Sequence, residues 1–180
     1  EIQKSMEAIS RRVSSAGYPF ARVVPRGDRN FETNTIGVTY LVDQGERAYV
    51  ERIEVRGNTR TRDYVIRREF DISEGDAFNQ ETISRAKRRL EALGFFSSVN
   101  ITTQAGSSQD RVVVIVDVQD QPTGSFGIGA GYSVGDGGLV LEASVEEKNF
   151  LGRGQFIRVA AGGGFDETQT YNFSFTEPYF

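Results

Sequence analysis

The chain has 180 residues, with neither cysteine nor histidine, and 21 Lys and Arg against 25 Asp and Glu leave a net charge of −4. The missing residue types remove a disulfide framework, thiol nucleophiles, cysteine metal sites and the commonest general base. The charge balance gives no overall pull toward nucleic acid or anionic lipid. No run of 18 apolar residues is present, so no transmembrane helix is expected. No signal peptide leads the chain, which reads either as a processed protein or as a piece of something longer.

Residues 1–45 open with a helical stripe of Ile2, Met6, Ile9 and Val13, which Ala16-Gly17 should end. Tyr18–Val23 is expected as a strand, and Ile36, Val38, Tyr40 and Val42 alternate as a second one.

Residues 46–121 read as one complete unit. Val50, Ile53 and Val55 mark a strand that stops at Gly57-Asn58. Thr61 is expected to cap a short helix carrying Val65, Ile66 and Phe70, broken by Glu74-Gly75-Asp76. Asn79 should cap a second helix with Ile83, Ala86, Leu90 and Leu93 on one face, ended by Gly94. Two strands follow, Phe95–Thr103 and Arg111–Val118, the second apolar on both faces and therefore expected at the centre of a sheet. The order is strand, helix, helix, strand, strand, which requires one parallel pairing. Gly17 and Gly94 lie 77 residues apart, so residues 1–45 match the second half of this unit and suggest a tandem repeat.

From residue 122 the composition shifts, and 124–180 hold 12 of the 20 glycines. Four alternating segments are expected at Ser125–Ser133, Leu139–Glu147, Gln155–Phe165 and Thr168–Thr176, with turns at Val134–Gly138, Lys148–Gly154 and Asp166-Glu167. Strands of about ten residues with one greasy and one polar face suit the wall of a transmembrane β-barrel. Aromatics near segment ends (Phe126, Tyr132, Phe165, Tyr171, Tyr179) tilt the reading toward a membrane. A soluble sandwich shares the alternation, so the pattern alone leaves both open. Four strands cannot close a barrel.

Five stretches in order carry a family resemblance: Val65–Phe70 (VIRREF), Arg89–Phe96 (RLEALGFF), Thr123–Tyr132 (TGSFGIGAGY), Asn149–Gln155 (NFLGRGQ) and Thr176–Phe180 (TEPYF). The chain resembles the outer-membrane β-barrel assembly factors built from POTRA domains and a barrel. The resemblance implies an α+β POTRA domain of βααββ order at 46–121. The C-terminal part of another POTRA precedes it at 1–45, and four antiparallel strands of an incomplete transmembrane β-barrel follow at 122–180. It implies residence in the outer membrane of a Gram-negative bacterium with the POTRA domains in the periplasm. The partners it implies are unfolded outer-membrane β-barrel proteins, accessory lipoproteins and outer-membrane lipid. Related POTRA–barrel translocases for secretion or autotransporter assembly share the architecture. A soluble periplasmic binding module is the alternative of another class.

Three sets of residues are singled out. The strand Phe95, Phe96, Ser97, Ser98, Val99, Asn100, Ile101 and Thr102 reads as an exposed edge able to take up an extended segment by strand addition. The resemblance assigns Arg67 and Glu74 to contact with a lipoprotein partner. It also makes the glycine-rich strand Gly124, Ser125, Phe126, Gly127, Ile128 and Gly129 a weak barrel seam, and its missing side chains supply a physical reason. No catalytic residue, cofactor or metal is expected. Glu142, Glu146 and Glu147 read as the polar face of a strand, and no glycine run leads into a helix as a phosphate loop requires. Nucleic-acid binding is not expected either: a KH module needs a Gly-x-x-Gly loop between its helices, and Asp71–Asp76 is acidic with one glycine.

Overall fold

The computed structural model describes residues 1–133, 138–164 and 169–180. The expected turn at 166–167, Phe165 and Thr168 at the ends of their segments, and all of the expected turn Val134–Gly138 except Gly138, which starts a strand, lie outside the described residues. The chain divides into two compact units. One is Glu1–Arg56, Arg68–Arg89 and Val99–Asp117; the other is Gly57–Arg67, Leu90–Ser98 and Val118–Phe180.

The first unit opens with α1 (Ile2–Ser15), stopped at Gly17 with φ +102°. Strands β1 (Arg22–Asn30) and β2 (Thr35–Asp43) pair antiparallel in register from Arg22↔Asp43 to Asn30↔Thr35. The first strand starts at Arg22 and not at Tyr18, because Pro19 follows Tyr18 and the Ala21 N–H turns back to the Tyr18 carbonyl. Strand β3 (Tyr49–Arg56) pairs parallel with β5 (Arg111–Asp120), and β4 (Phe96–Ala105) flanks β5 on its other side, giving the order β3-β5-β4. Val112 to Val116 are all buried, as a central strand covered on both faces requires. Helix α3 (Gln80–Leu93) starts where expected: the Asn79 carboxamide oxygen accepts from the Glu81 and Thr82 N–H groups at 2.9 and 3.3 Å. Ile83 and Ala86 are buried on it, and Gly94 follows its end with φ +69°.

The second unit holds α2 (Asp63–Arg67) and a sheet of order β6-β7-β8-β9. Helix α2 is shorter than expected. It ends before Phe70, and Thr61 does not cap it because its hydroxyl is engaged elsewhere. The sheet is antiparallel throughout, from β6 (Gly124–Ser133) and β7 (Gly138–Phe150) to β8 (Gln155–Gly164) and β9 (Gln169–Thr176). The register sets Phe126 beside Val145, Val145 beside Val159 and Val159 beside Phe173. One face is therefore apolar across all four strands. It is also bare: Phe126, Ile128, Tyr132, Leu139, Leu141, Val145, Val159, Tyr171, Phe173 and Phe175 are all exposed. The opposite face carries Ser125, Glu142, Glu146, Arg158 and Thr176, with Ser125 donating to Glu146 and Arg158 pairing with Glu142.

Candidate functional site

Two strand edges and one cluster of polar side chains define the site. The sheet of order β3-β5-β4 has two edges, β3 and β4. The outer edge of β3 is already occupied. Val50 donates to the Asp76 carbonyl, its own carbonyl accepts from Gly75, the Ala48 carbonyl accepts from Phe78, and the Ile53 N–H donates to the Glu74 carboxylate. The segment after α2 thus runs along β3 as a cover. Among the described residues strand β4 has β5 as its one neighbour in the sheet, so its backbone offers the open ladder.

The side chains of that strand divide. Ser97, Ser98, Asn100 and Thr102 are exposed and Ile101 is half-buried. Phe95, Phe96 and Val99 are buried, against the expectation that the whole stretch lies open. Phe95 precedes the strand, and its carbonyl accepts from the Gln121 N–H. Three of the eight residues are therefore anchors that fix the edge and not part of its accessible surface.

Among the described residues β6 likewise pairs with one neighbour, β7. A Cβ on Gly127 would come within 2.9 Å of Ser144 Oγ, and one on Gly124 within 3.2 Å of Glu147 Oε2. At Gly129 and Gly131 nothing lies within 4 Å. The close atoms at the first two positions are the ends of movable side chains, so crowding by fixed backbone requires glycine at none of the four.

The polar cluster joins segments far apart in sequence. Asp120, at the end of β5, accepts from the Arg60 N–H at 2.7 Å, the Thr61 hydroxyl at 2.6 Å, the Thr61 N–H at 3.4 Å and the Thr59 hydroxyl at 3.3 Å. Burial pushes its carboxyl pKa up, but these donors outweigh burial and hold it below the usual aspartate range. The Thr61 hydroxyl in turn accepts from Asn149 Nδ2, and Asn149 Oδ1 accepts from the Gly154 N–H at 2.8 Å. The Arg62 N–H donates to the Gly152 carbonyl at 2.8 Å. Gly152 has φ +72°, and a Cβ there would sit 2.0 Å from the Arg60 carbonyl oxygen. The turn between β7 and β8 is thereby fastened to the segment between β3 and α2. A cavity of about 300 Å³ beside it is lined by Arg60, Asp120, Thr123, Glu147, Asn149 and neighbours.

Comparison with known proteins places this arrangement. The POTRA profile, described as surface antigen variable number repeat, matches residues 48–121. The chain is 33% identical to outer membrane protein assembly factor BamA of Neisseria meningitidis, over 96% of its own length and 22% of that protein. It is 31% identical to the BamA of Nitratidesulfovibrio vulgaris, over 89% of its length and 20% of the relative. Among solved structures, BamA from Haemophilus ducreyi lacking POTRA domains 1–3 superposes with a TM-score of 0.87 at 33% identity, covering all of this chain and 34% of that one. The chain belongs to the POTRA-bearing outer-membrane assembly-factor family. It spans about a fifth of the length of the curated relatives it matches. Family membership makes it an outer-membrane protein with its POTRA domain in the periplasm.

Within the POTRA domain, Arg67 and Glu74 are both exposed. Arg67 pairs with Asp63 one helical turn away, and Glu74 accepts from Ile53 on β3. Residues 149–155 carry the family resemblance in sequence, but their physical task is visible only in the fold. Asn149 bridges its own turn and Thr61, while Gly152 permits close approach of the backbone. The sequence signal was the pair of glycines flanking Arg153, each required at positive φ.

Proposed function

We propose that this chain is the part of an outer-membrane assembly factor in which a POTRA domain receives extended segments of unfolded β-barrel precursors and the first barrel strands help fold them into the membrane. The observation that carries the reading is the contrast between the two edges of the POTRA sheet. Strand β3 is covered by residues 74–78, and β4 keeps an open ladder beside Ser98, Asn100 and Thr102. Backbone pairing is indifferent to side-chain identity, which suits clients that share strand periodicity but little sequence. The bare apolar face of β6–β9 favours a lipid-facing wall over a soluble sandwich, in which both inner faces would be covered. Arg67 and Glu74 offer charges of opposite sign for an accessory lipoprotein.

The test is site-specific photocrosslinking in the full-length protein during assembly of a client barrel. A crosslinker at Asn100 or Thr102 should capture the client, and one at Arg52 on the covered strand should not. Equal capture from both strands removes strand addition at β4 from the reading.

A further inference from the structure

The second unit carries one patch whose arginine side chains are used neither by the strand edges nor by the polar cluster. Arg62, Asp63, Tyr64, Arg153 and Gln155 surround one open cavity of about 710 Å³. Both arginines are exposed, and among the described residues neither guanidinium has a carboxylate in ion-pair range. Asp63 is the acidic residue in the cavity, and its carboxylate is engaged by Arg67.

The surroundings decide what these arginines meet. Gln155 stands on β8 in two-residue steps with Ile157, Val159 and Ala161, on the bare apolar face. Its amide donates to Glu177 at 2.8 Å, and Glu177 continues the Tyr171, Phe173 and Phe175 column by the same steps. Glu177 also accepts from the Tyr179 N–H. The apolar face therefore ends in a polar row, and the cavity opens at that row. Tyr64 and Tyr179 are each about half exposed there, at 51% and 53%. Apolar side chains giving way to tyrosine and then to arginine is the profile of hydrocarbon giving way to headgroups.

We infer that Arg62 and Arg153 clasp the phosphate of an anionic phospholipid headgroup, one guanidinium coming from the POTRA domain and one from the β7–β8 turn. A guanidinium fork matches two phosphate oxygens at once, which a lysine ammonium does not. The clasp lies where the apolar face stops, so the acyl chains of the same lipid can lie along that face. This inference rests on the membrane reading of the sheet.

The test uses full-length protein reconstituted in vesicles, with a fluorophore on a cysteine replacing Ile157, next to the cavity on the apolar face. Quenching by phosphatidylglycerol with brominated chains is compared with quenching by brominated phosphatidylcholine. Selectivity of roughly fivefold or more for the anionic lipid is expected, the factor that one basic residue near an anionic surface supplies. It should vanish in Arg62→Gln/Arg153→Gln, shrink in Arg153→Lys and persist in the surface control Arg26→Gln/Arg29→Gln. Equal quenching by the two lipids, or selectivity that survives the double substitution, overturns the clasp and leaves the membrane reading intact. No quenching by either lipid removes the membrane placement of this face, and the clasp with it.

Discussion

The side-chain amide of Asn149 donates to the hydroxyl of Thr61 at 2.9 Å, across 88 positions of sequence, and both residues are buried. Their partners are distinct on the far sides: Asp120 accepts from the Thr61 hydroxyl, and the Gly154 N–H donates to the Asn149 oxygen. The two side chains act as one unit, so their substitutions should not add. Thr61→Val keeps the shape and leaves buried polar partners unsatisfied, at about 1–3 kcal/mol. A double-mutant cycle with Asn149→Ala, read by denaturant unfolding, should give a coupling of about 0.5–3 kcal/mol. Additive effects would separate the two residues.

Asp120 collects four donors, and its pKa stands below the ordinary aspartate value of 3.8. A depressed carboxylate stabilises the fold above its unfolded pKa, and the contribution is lost as pH falls through the folded value. Acid should therefore loosen this cluster below about pH 3.8. Hydrogen exchange at the Arg60 and Thr61 amides should accelerate in that range beyond the intrinsic rate. Asp120→Asn should give the same acceleration at neutral pH and abolish the acid step.

Gly152→Ala places a methyl group against the Arg60 carbonyl oxygen and forces an L residue to hold φ +72°. Backbone oxygen cannot move aside as a flexible side chain would. The substitution should cost more than about 1 kcal/mol, with the loss centred on the β7–β8 turn. Gly129→Ala, where nothing lies within 4 Å, should be tolerated in the same assay. Equal costs at the two positions would remove the close approach as the cause.

On the barrel strands, cysteines at Ser125 or Ile128 of β6 should crosslink to the final strand of a client barrel in the full-length protein. Cysteines at Ala143 or Val145 of β7, which is paired on both sides, should not. Crosslinking from β7 as strong as from β6 would remove the seam.

Much of this fold is legible from residue patterns because the patterns are local. Two-residue alternation places the apolar face of β6–β9, and the Asn79 cap starts α3 where its side chain reaches the next N–H groups. The expected strand Arg111–Val118 reads as central from five consecutive β-branched residues, Val112 to Val116, and all five are buried. The polar cluster leaves no such trace. Thr61 in sequence looks like a helix cap, since a threonine before a helical stretch is the ordinary cap, and nothing local announces that Asp120 and Asn149 claim its hydroxyl. Phe95, Phe96 and Val99 mislead for a related reason. Serines between them suggest an open strand, whereas the apolar residues face inward and only the intervening side chains are exposed.

The fastening of the β7–β8 turn to Thr61 bears on the order in which the chain acquires structure. A hairpin closed by its own turn forms from neighbouring residues, within microseconds, whereas this turn completes its hydrogen bonds only with residues about 90 positions earlier. The POTRA segment precedes the barrel strands along the chain, so Thr61 and Asp120 can be joined before the β7–β8 turn forms. In that order of events the β7–β8 turn would be completed against Thr61 once Thr61 and Asp120 are already joined. Late-forming contacts of this kind act mainly on the rate of unfolding, so loosening them shortens the lifetime of the assembled junction more than it slows its formation.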